Sequence, residues 1–152
     1  DWEIVNNSLW WSDEIYHIFG LDPREHDITY EAFLERVHPD DRRKVRDAVN
    51  KALRGEKPYS VNHRIILPDG SERIIHEQGR VYRGVNGESA RMVGTILDIT
   101  ERTQHETDRM LIEELKKLDR MKNEFVSIIT HELRTPMTPL KSSGSWKKRR
   151  TS

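Results

Sequence analysis

Apolar residues are spaced in three successive regimes along this chain. From position 13 to 55 they recur every three or four residues, from 59 to 99 they tend to alternate, and from 110 to 129 the three-and-four spacing returns. The first regime predicts short amphipathic helices, the second strands with one buried face, the third a long helix. Ser12 is placed to cap a helix whose inner face is Ile15, Ile18 and Phe19 and whose stop is Gly20. Thr29 is placed to cap a second, with Tyr30, Phe33, Leu34 and Val37 on one side. His38-Pro39-Asp40-Asp41 opens a third helix with proline at its first position and acids at its positive end. Val45, Ala48, Val49, Ala52 and Leu53 line that helix, and Gly55 ends it.

Strands are expected on both sides of these helices. Trp2–Val5 and Leu9–Trp11 are short β-prone runs parted by Asn6-Asn7-Ser8. Tyr59–Leu67, Glu72–Val85 and Ala90–Ile99 are longer and are joined at Asp69-Gly70 and Asn86-Gly87, the dipeptides that favour tight hairpins. Two strands, then helices, then three antiparallel strands make an α+β domain: one five-stranded antiparallel sheet with helices on one face. The strings LWWSDEIYHIFG, FLERVHPDDR, RIILPDGSERII and MVGTILDITER resemble a PAS domain with its C-terminal motif. That resemblance covers 1–102 and makes Asp98-Ile99-Thr100 the exit into a signalling helix.

Composition narrows the chemistry. Apolar and charged residues make up 34% each, a hydrophilic balance that suits a small domain joined to a solvent-washed helix. Formal net charge is zero, so no overall field points to nucleic acid or an anionic membrane. Cysteine is absent, which rules out disulfides, thiolate metal sites, cysteine nucleophiles and a flavin–cysteine photoadduct. No apolar run approaches the ~20 residues of a membrane span, and a cytoplasmic chain is expected. A haem would want an axial histidine, commonly from the helix that here runs Arg42–Arg54, and that stretch has none. His63 shares an alternation face with Val61, Ile65 and Leu67, and is read as a satisfied core or edge histidine before a ligand contact. His38 is read as a helix-start residue, and His17, His26, His76 and His105 have no metal-like spacing. The aromatic set Trp2, Trp10, Trp11, Tyr16, Phe19 and Phe33 is read as core and packing surface, with a small-molecule pocket as the alternative. No cofactor is identified.

One further histidine stands apart. On a helix, Leu118, Phe125, Ile129 and Leu140 lie roughly 120° to 180° around the axis from His131. His131 is thus expected to face water, with Pro136 kinking or interrupting the helix just beyond it. A zinc-protease site is excluded, because Thr135 stands where a second histidine would be needed. The string FVSIITHELRTPMTPL, Phe125–Leu140, resembles the phosphoacceptor box of sensor histidine kinases at nearly every position. The resemblance implies that His131 accepts a phosphoryl group, that Glu132 is the neighbouring acid/base, and that Glu132–Thr135 is the E-x-x-T element used in dephosphorylation. The residue types suit those roles. An imidazole is mostly neutral and nucleophilic near pH 7, and an adjacent carboxylate can take its proton as the P–N bond forms.

The organisation expected is therefore a PAS sensor over 1–102, a coiled-coil signalling linker over 103–124, the histidine box over 125–141 and a basic disordered tail over 142–152. The stripe through Leu111, Leu115, Leu118, Met121, Phe125 and Ile129 cannot be buried by one helix alone, so a parallel homodimer through 111–129 is expected, the alternative being a helix folded back on the sheet. Lys147–Arg150 is read as a solvated end rather than a nucleic-acid or lipid contact. No Gly-x-Gly occurs and no Gly-rich phosphate loop is present, so ATP enters only through a kinase catalytic domain not contained in these residues. A response-regulator receiver domain is the other expected partner. The competing reading is a sensing and dimerisation module whose histidine box is vestigial.

Overall fold

The computed structural model describes residues 1–24 and 28–143, with side chains through Glu132. Strand β1 (Trp2–Glu3) turns into β2 (Ser8–Leu9); helices α1 (Asp13–Phe19) and α2 (Tyr30–Arg36) follow. A 3-10 turn at Pro39–Asp41 leads into α3 (Arg42–Leu53), and β3 (Tyr59–Ile66), β4 (Glu72–Arg83) and β5 (Ser89–Asp98) come next. Helix α4 spans Thr100–Ser143. The strands form one antiparallel sheet in the order β2-β1-β5-β4-β3. Sequence neighbours pair except β2 and β3, which form the two edges, and β1 also closes onto β5, bringing the start of the domain beside its end.

The local signals act much as their chemistry requires, with four differences. Thr29 caps α2 by accepting from Ala32 N–H at 3.2 Å, but Ser12 stands at the start of α1 without a side-chain bond to it. The two N-terminal strands are only two residues each, because the turn at Asn7, with φ of 51°, takes up the intervening positions. Asp41 does not continue a helix begun at Pro39. Its carboxylate instead takes three hydrogen bonds from Arg64, one from N–H at 2.8 Å and two from the guanidinium at 2.9 and 3.0 Å. That pairing ties the 3-10 turn to β3 before α3 begins. Finally, Pro136 does not interrupt α4, which is helical through Pro136 and Pro139. A proline removes one N–H from the ladder, and here the remaining ladder carries the helix across it.

The core lies between the inner sheet face and α1–α3. Phe19, Phe33, Val45, Val49 and Ala52 from the helices meet Val61, Ile65, Ile75 and Met92 from the strands. Each strand residue comes from an alternating set, since successive side chains point to opposite faces. Of the aromatic set, Trp11, Tyr16, Phe19 and Phe33 are buried and Trp2 is half-buried. Trp10 departs from that set at 69% exposed, because Trp11, its neighbour, takes the inward position.

The chain divides into two compact units, Asp1–Gln104 and His105–Ser152. Among the described residues, no helix is long and apolar enough to cross a membrane.

Candidate functional site

The sheet register builds a polar cluster into the apolar core. Val61 pairs with Glu77, Tyr59 with Gly79 and His63 with Ile75. All of the inner-face positions in β3 are therefore occupied by Tyr59, Val61, His63 and Ile65, and Glu77 lies diagonally between Tyr59 and His63. Glu77 and His63 are 5% and 2% exposed. The Tyr59 hydroxyl donates to Glu77 Oε2 at 2.6 Å. Burial, reinforced by the carboxylate beside it, pushes the Tyr59 phenol far above its usual range, so it stays protonated and acts as donor. Glu77 Oε1 lies 3.3 Å from His63 Nε2. The two atoms are close but misaligned for a hydrogen bond, and neither has a hydrogen-bond partner.

A cavity of about 90 Å³ opens beside this cluster, with Glu77, Tyr59, Tyr30, Trp11, Phe33 and Met92 in its wall. Gly79 leaves space there that a side chain would take, since a Cβ would approach Met92 at 3.3 Å and Tyr59 at 3.4 Å. The Tyr30 hydroxyl is buried and unpartnered, and burial raises its pKa. Its ring stacks on Trp2 with centroids 4.9 Å apart. The wall is thus aromatic, with one buried carboxylate and two phenols. No group of three His, Asp or Glu side chains among the described residues is arranged to hold a metal ion.

β4 also carries the way out of the domain. Three residues before Glu77, Ile74 N–H donates to Thr100 Oγ1 at 2.9 Å and Ile74 carbonyl accepts from Ile99 N–H at 2.9 Å. Asp98 caps α4, its Oδ1 accepting from Thr100 N–H at 3.0 Å and from the Thr100 hydroxyl at 2.6 Å. Arg73 lies 3.9 Å from Asp98 and donates to the Ile18 carbonyl at 2.6 Å, joining this exit to the end of α1. The exit foreseen at Asp98-Ile99-Thr100 is therefore a hydrogen-bonded junction on β4.

His131 and Glu132 sit side by side on α4, both exposed. Thr135 is on the helical backbone but outside the described side chains. Met110, Leu111, Leu115, Leu118, Met121, Phe125 and Ile128 are all more than half exposed along the same helix. Lys147–Arg150 and His26 lie outside the described residues.

His63 points inward as its alternation predicted, yet it is not satisfied: Nδ1 meets the Arg64 carbonyl at 3.2 Å, and Nε2 has no hydrogen-bond partner. His38 is a helix-start residue, its Nδ1 accepting from Asp40 N–H at 3.1 Å. Glu77 was not foreseen. The signal was present, since Ile75, Glu77 and Val81 share one strand face and a carboxylate amid apolar neighbours is the anomaly that marks a site.

The family description "PAS fold" matches residues 8–96. The chain is 28% identical over 110 residues to the blue-light-activated histidine kinase of Brucella ovis, covering 72% of this chain and 22% of that protein. It is 26% identical over 101 residues to a probable diguanylate cyclase of Escherichia coli, covering 66% of this chain and 9% of that protein. Among solved structures, a sensory box histidine kinase/response regulator from Burkholderia thailandensis superposes with a TM-score of 0.65 at 32% identity, over 76% of this chain and 87% of that one. The chain thus spans about a fifth of the length of its Brucella relative.

Proposed function

The chain belongs to the PAS fold family, and from that premise we propose that it is the signal-input and phosphoacceptor part of a two-component sensor histidine kinase. In this reading 1–102 senses, 103–124 transmits as a coiled coil and 125–141 presents the phosphoacceptor histidine; the tail expected from 142 starts later, since α4 runs through Ser143. The observation that carries it is the string Phe125–Leu140, which lies on the same helix that leaves the PAS sheet at Thr100. Relatives named as histidine kinases add support on the sensor side.

The chemistry assigned to the box is phosphoryl transfer from ATP. A ring nitrogen of His131 attacks the γ-phosphorus; the P–N bond forms, the P–O bond to the leaving ADP breaks, and Glu132 takes the ring proton. The nucleotide is held by a catalytic domain outside these residues, and a receiver domain then takes the phosphoryl group. Thr135 is assigned to the reverse, hydrolytic step. The sensor reaches His131 through β4: a change at Glu77 shifts the Ile74–Thr100 clamp three residues away, and the helix that starts there turns.

Labelled ATP and a matched histidine kinase catalytic domain test the assignment. Acid-labile, alkali-stable label is expected on this chain and not on His131→Gln. Equal label on both proteins moves the site elsewhere, and no label on either leaves the box vestigial. Label without any added domain contradicts an ATP site outside these residues.

A further inference from the structure

We propose that the open edge of β3 at residues 60–62, with the basic side of α3 beside it, is a docking site for a short acidic peptide segment that adds to the sheet as a strand. The proposal goes beyond the phosphoacceptor reading and does not depend on it. β3 is an edge strand, with β4 on its other side. Residues two apart along such a strand turn their N–H and C=O to the same side. Arg64 shows which residues face the open side: its N–H donates to Asp41 Oδ2 at 2.8 Å and its carbonyl accepts from His38 N–H at 2.9 Å. The same side therefore carries the backbone groups of Asn62 and Ser60. Lys44 Nζ donates to the Asn62 carbonyl. Among the described residues, Ser60 N–H, Ser60 C=O and Asn62 N–H have no hydrogen-bond partner. The rest of the edge is closed. Asp41 and His38 cover it at Arg64, and Pro58, on the same alternation, has no N–H to offer. The window left between them suits an extended segment of about four residues.

Charge decides what kind of segment fits. A groove runs between this window and α3, with Val61 and Ala48 in its floor and Arg43, Lys44, Lys51 and Lys57 around it. All four cations are exposed, and among the described residues none of them forms an ion pair. Two carboxylates also line the groove, Asp40 and Asp47. Asp40 lies 4.0 Å from the Arg64 guanidinium, so its charge is shared with a cation outside the groove. The balance is positive. A second copy of this edge would bring the same lysines and be repelled, whereas a strand bearing carboxylates is attracted. An extended guest turns every second side chain to one face, so acidic residues at alternate positions collect on the α3 side. Nucleic acid or an anionic lipid surface would meet the lysines too, but neither has a backbone that pairs with both Ser60 N–H and Ser60 C=O. An acidic peptide strand satisfies the edge and the charge together.

The test is NMR titration of the whole, nitrogen-15-labelled chain with a short blocked peptide of alternating threonine and glutamate. The Ser60 and Asn62 amide signals are expected to shift and their hydrogen exchange to slow, as backbone pairing requires. Lys51→Glu combined with Lys57→Glu reverses two exposed charges and is expected to weaken the peptide at least about tenfold. Should that double variant fail to fold, salt decides on the parent: affinity must fall as ionic strength rises. The same peptide with lysine for glutamate, or N-methylated at every residue, is expected not to bind. Binding of either control as tight as the parent peptide, unchanged affinity in the folded double variant or in high salt, or unslowed exchange at Ser60 and Asn62 each overturns the proposal. So does no binding at all, or tighter binding of a uridine oligonucleotide or of phosphatidylglycerol vesicles to the same residues.

Discussion

Tyr59 and Asp41 illustrate how differently one hydrogen bond can matter at the scale of a residue. Removing the Tyr59 hydroxyl strips Glu77 Oε2 of its donor inside the core. Tyr59→Phe is therefore expected to cost about 1–3 kcal/mol in urea unfolding, the penalty of an abandoned buried acceptor. A cost within error of zero would show that solvent reaches Glu77 in the folded state. Asp41 acts through charge instead. The Arg64 hydrogen bonds hold its carboxyl well below the usual carboxylate range. A group whose pKa is lower folded than unfolded stabilises the fold above its unfolded value of about 4, and that contribution drains away as pH falls below it. Asp41→Asn is expected to be less stable than the parent at pH 7 and to show a flatter loss of stability from about pH 4 downward. Identical pH profiles for the two proteins would remove Asp41 from the acid response.

At the scale of elements, the β4–β5 pairing depends on two glycines set opposite each other, Gly79 and Gly94. A Cβ at Gly94 would come within 2.3 Å of the Gln78 carbonyl oxygen, a backbone atom that cannot swing away. Gly94→Ala is expected to spread the two strands and cost about 1–3 kcal/mol by overpacking, read as a fall in Tm. Gly94 also lines the cavity, so the same variant should weaken any guest there. An unchanged Tm would mean that the strands separate without cost at that point. The neighbouring junction shows the same economy of elements: Asp98 and Thr100 end a strand, start a helix and grip Ile74 within three residues.

At the scale of the molecule, the apolar stripe of α4 calls for a cover. Leu118 and Phe125 are 53% and 63% exposed along a helix of 44 residues. Such a helix gains most of its stability from packing an apolar face, and a second copy supplies an identical face in register. Light scattering is expected to return twice the chain mass for the whole protein, and a single mass when Leu118 and Phe125 are both changed to Asp. A parent at single mass, or a double variant that still pairs, sinks the dimer through 111–129.

The order of elements along the chain, the hairpins at Asp69-Gly70 and Asn86-Gly87, the capping of α2 by Thr29 and the exit at Asp98-Ile99-Thr100 were all legible in the sequence. These features depend on near neighbours, where side-chain type and backbone preference act over a few residues. The histidine box is likewise a contiguous string, and its phosphoacceptor role is the proposal that the labelling assay tests. The Glu77 cluster was decided by tertiary structure. Tyr59, His63 and Glu77 stand up to 18 residues apart and meet only because β3 and β4 pair with Val61 opposite Glu77. A shift of one residue in that register would turn one strand's set to the other sheet face. Alternation marks which residues point inward, but only the folded register decides which inward residues touch, and so which buried acceptor is left without a donor.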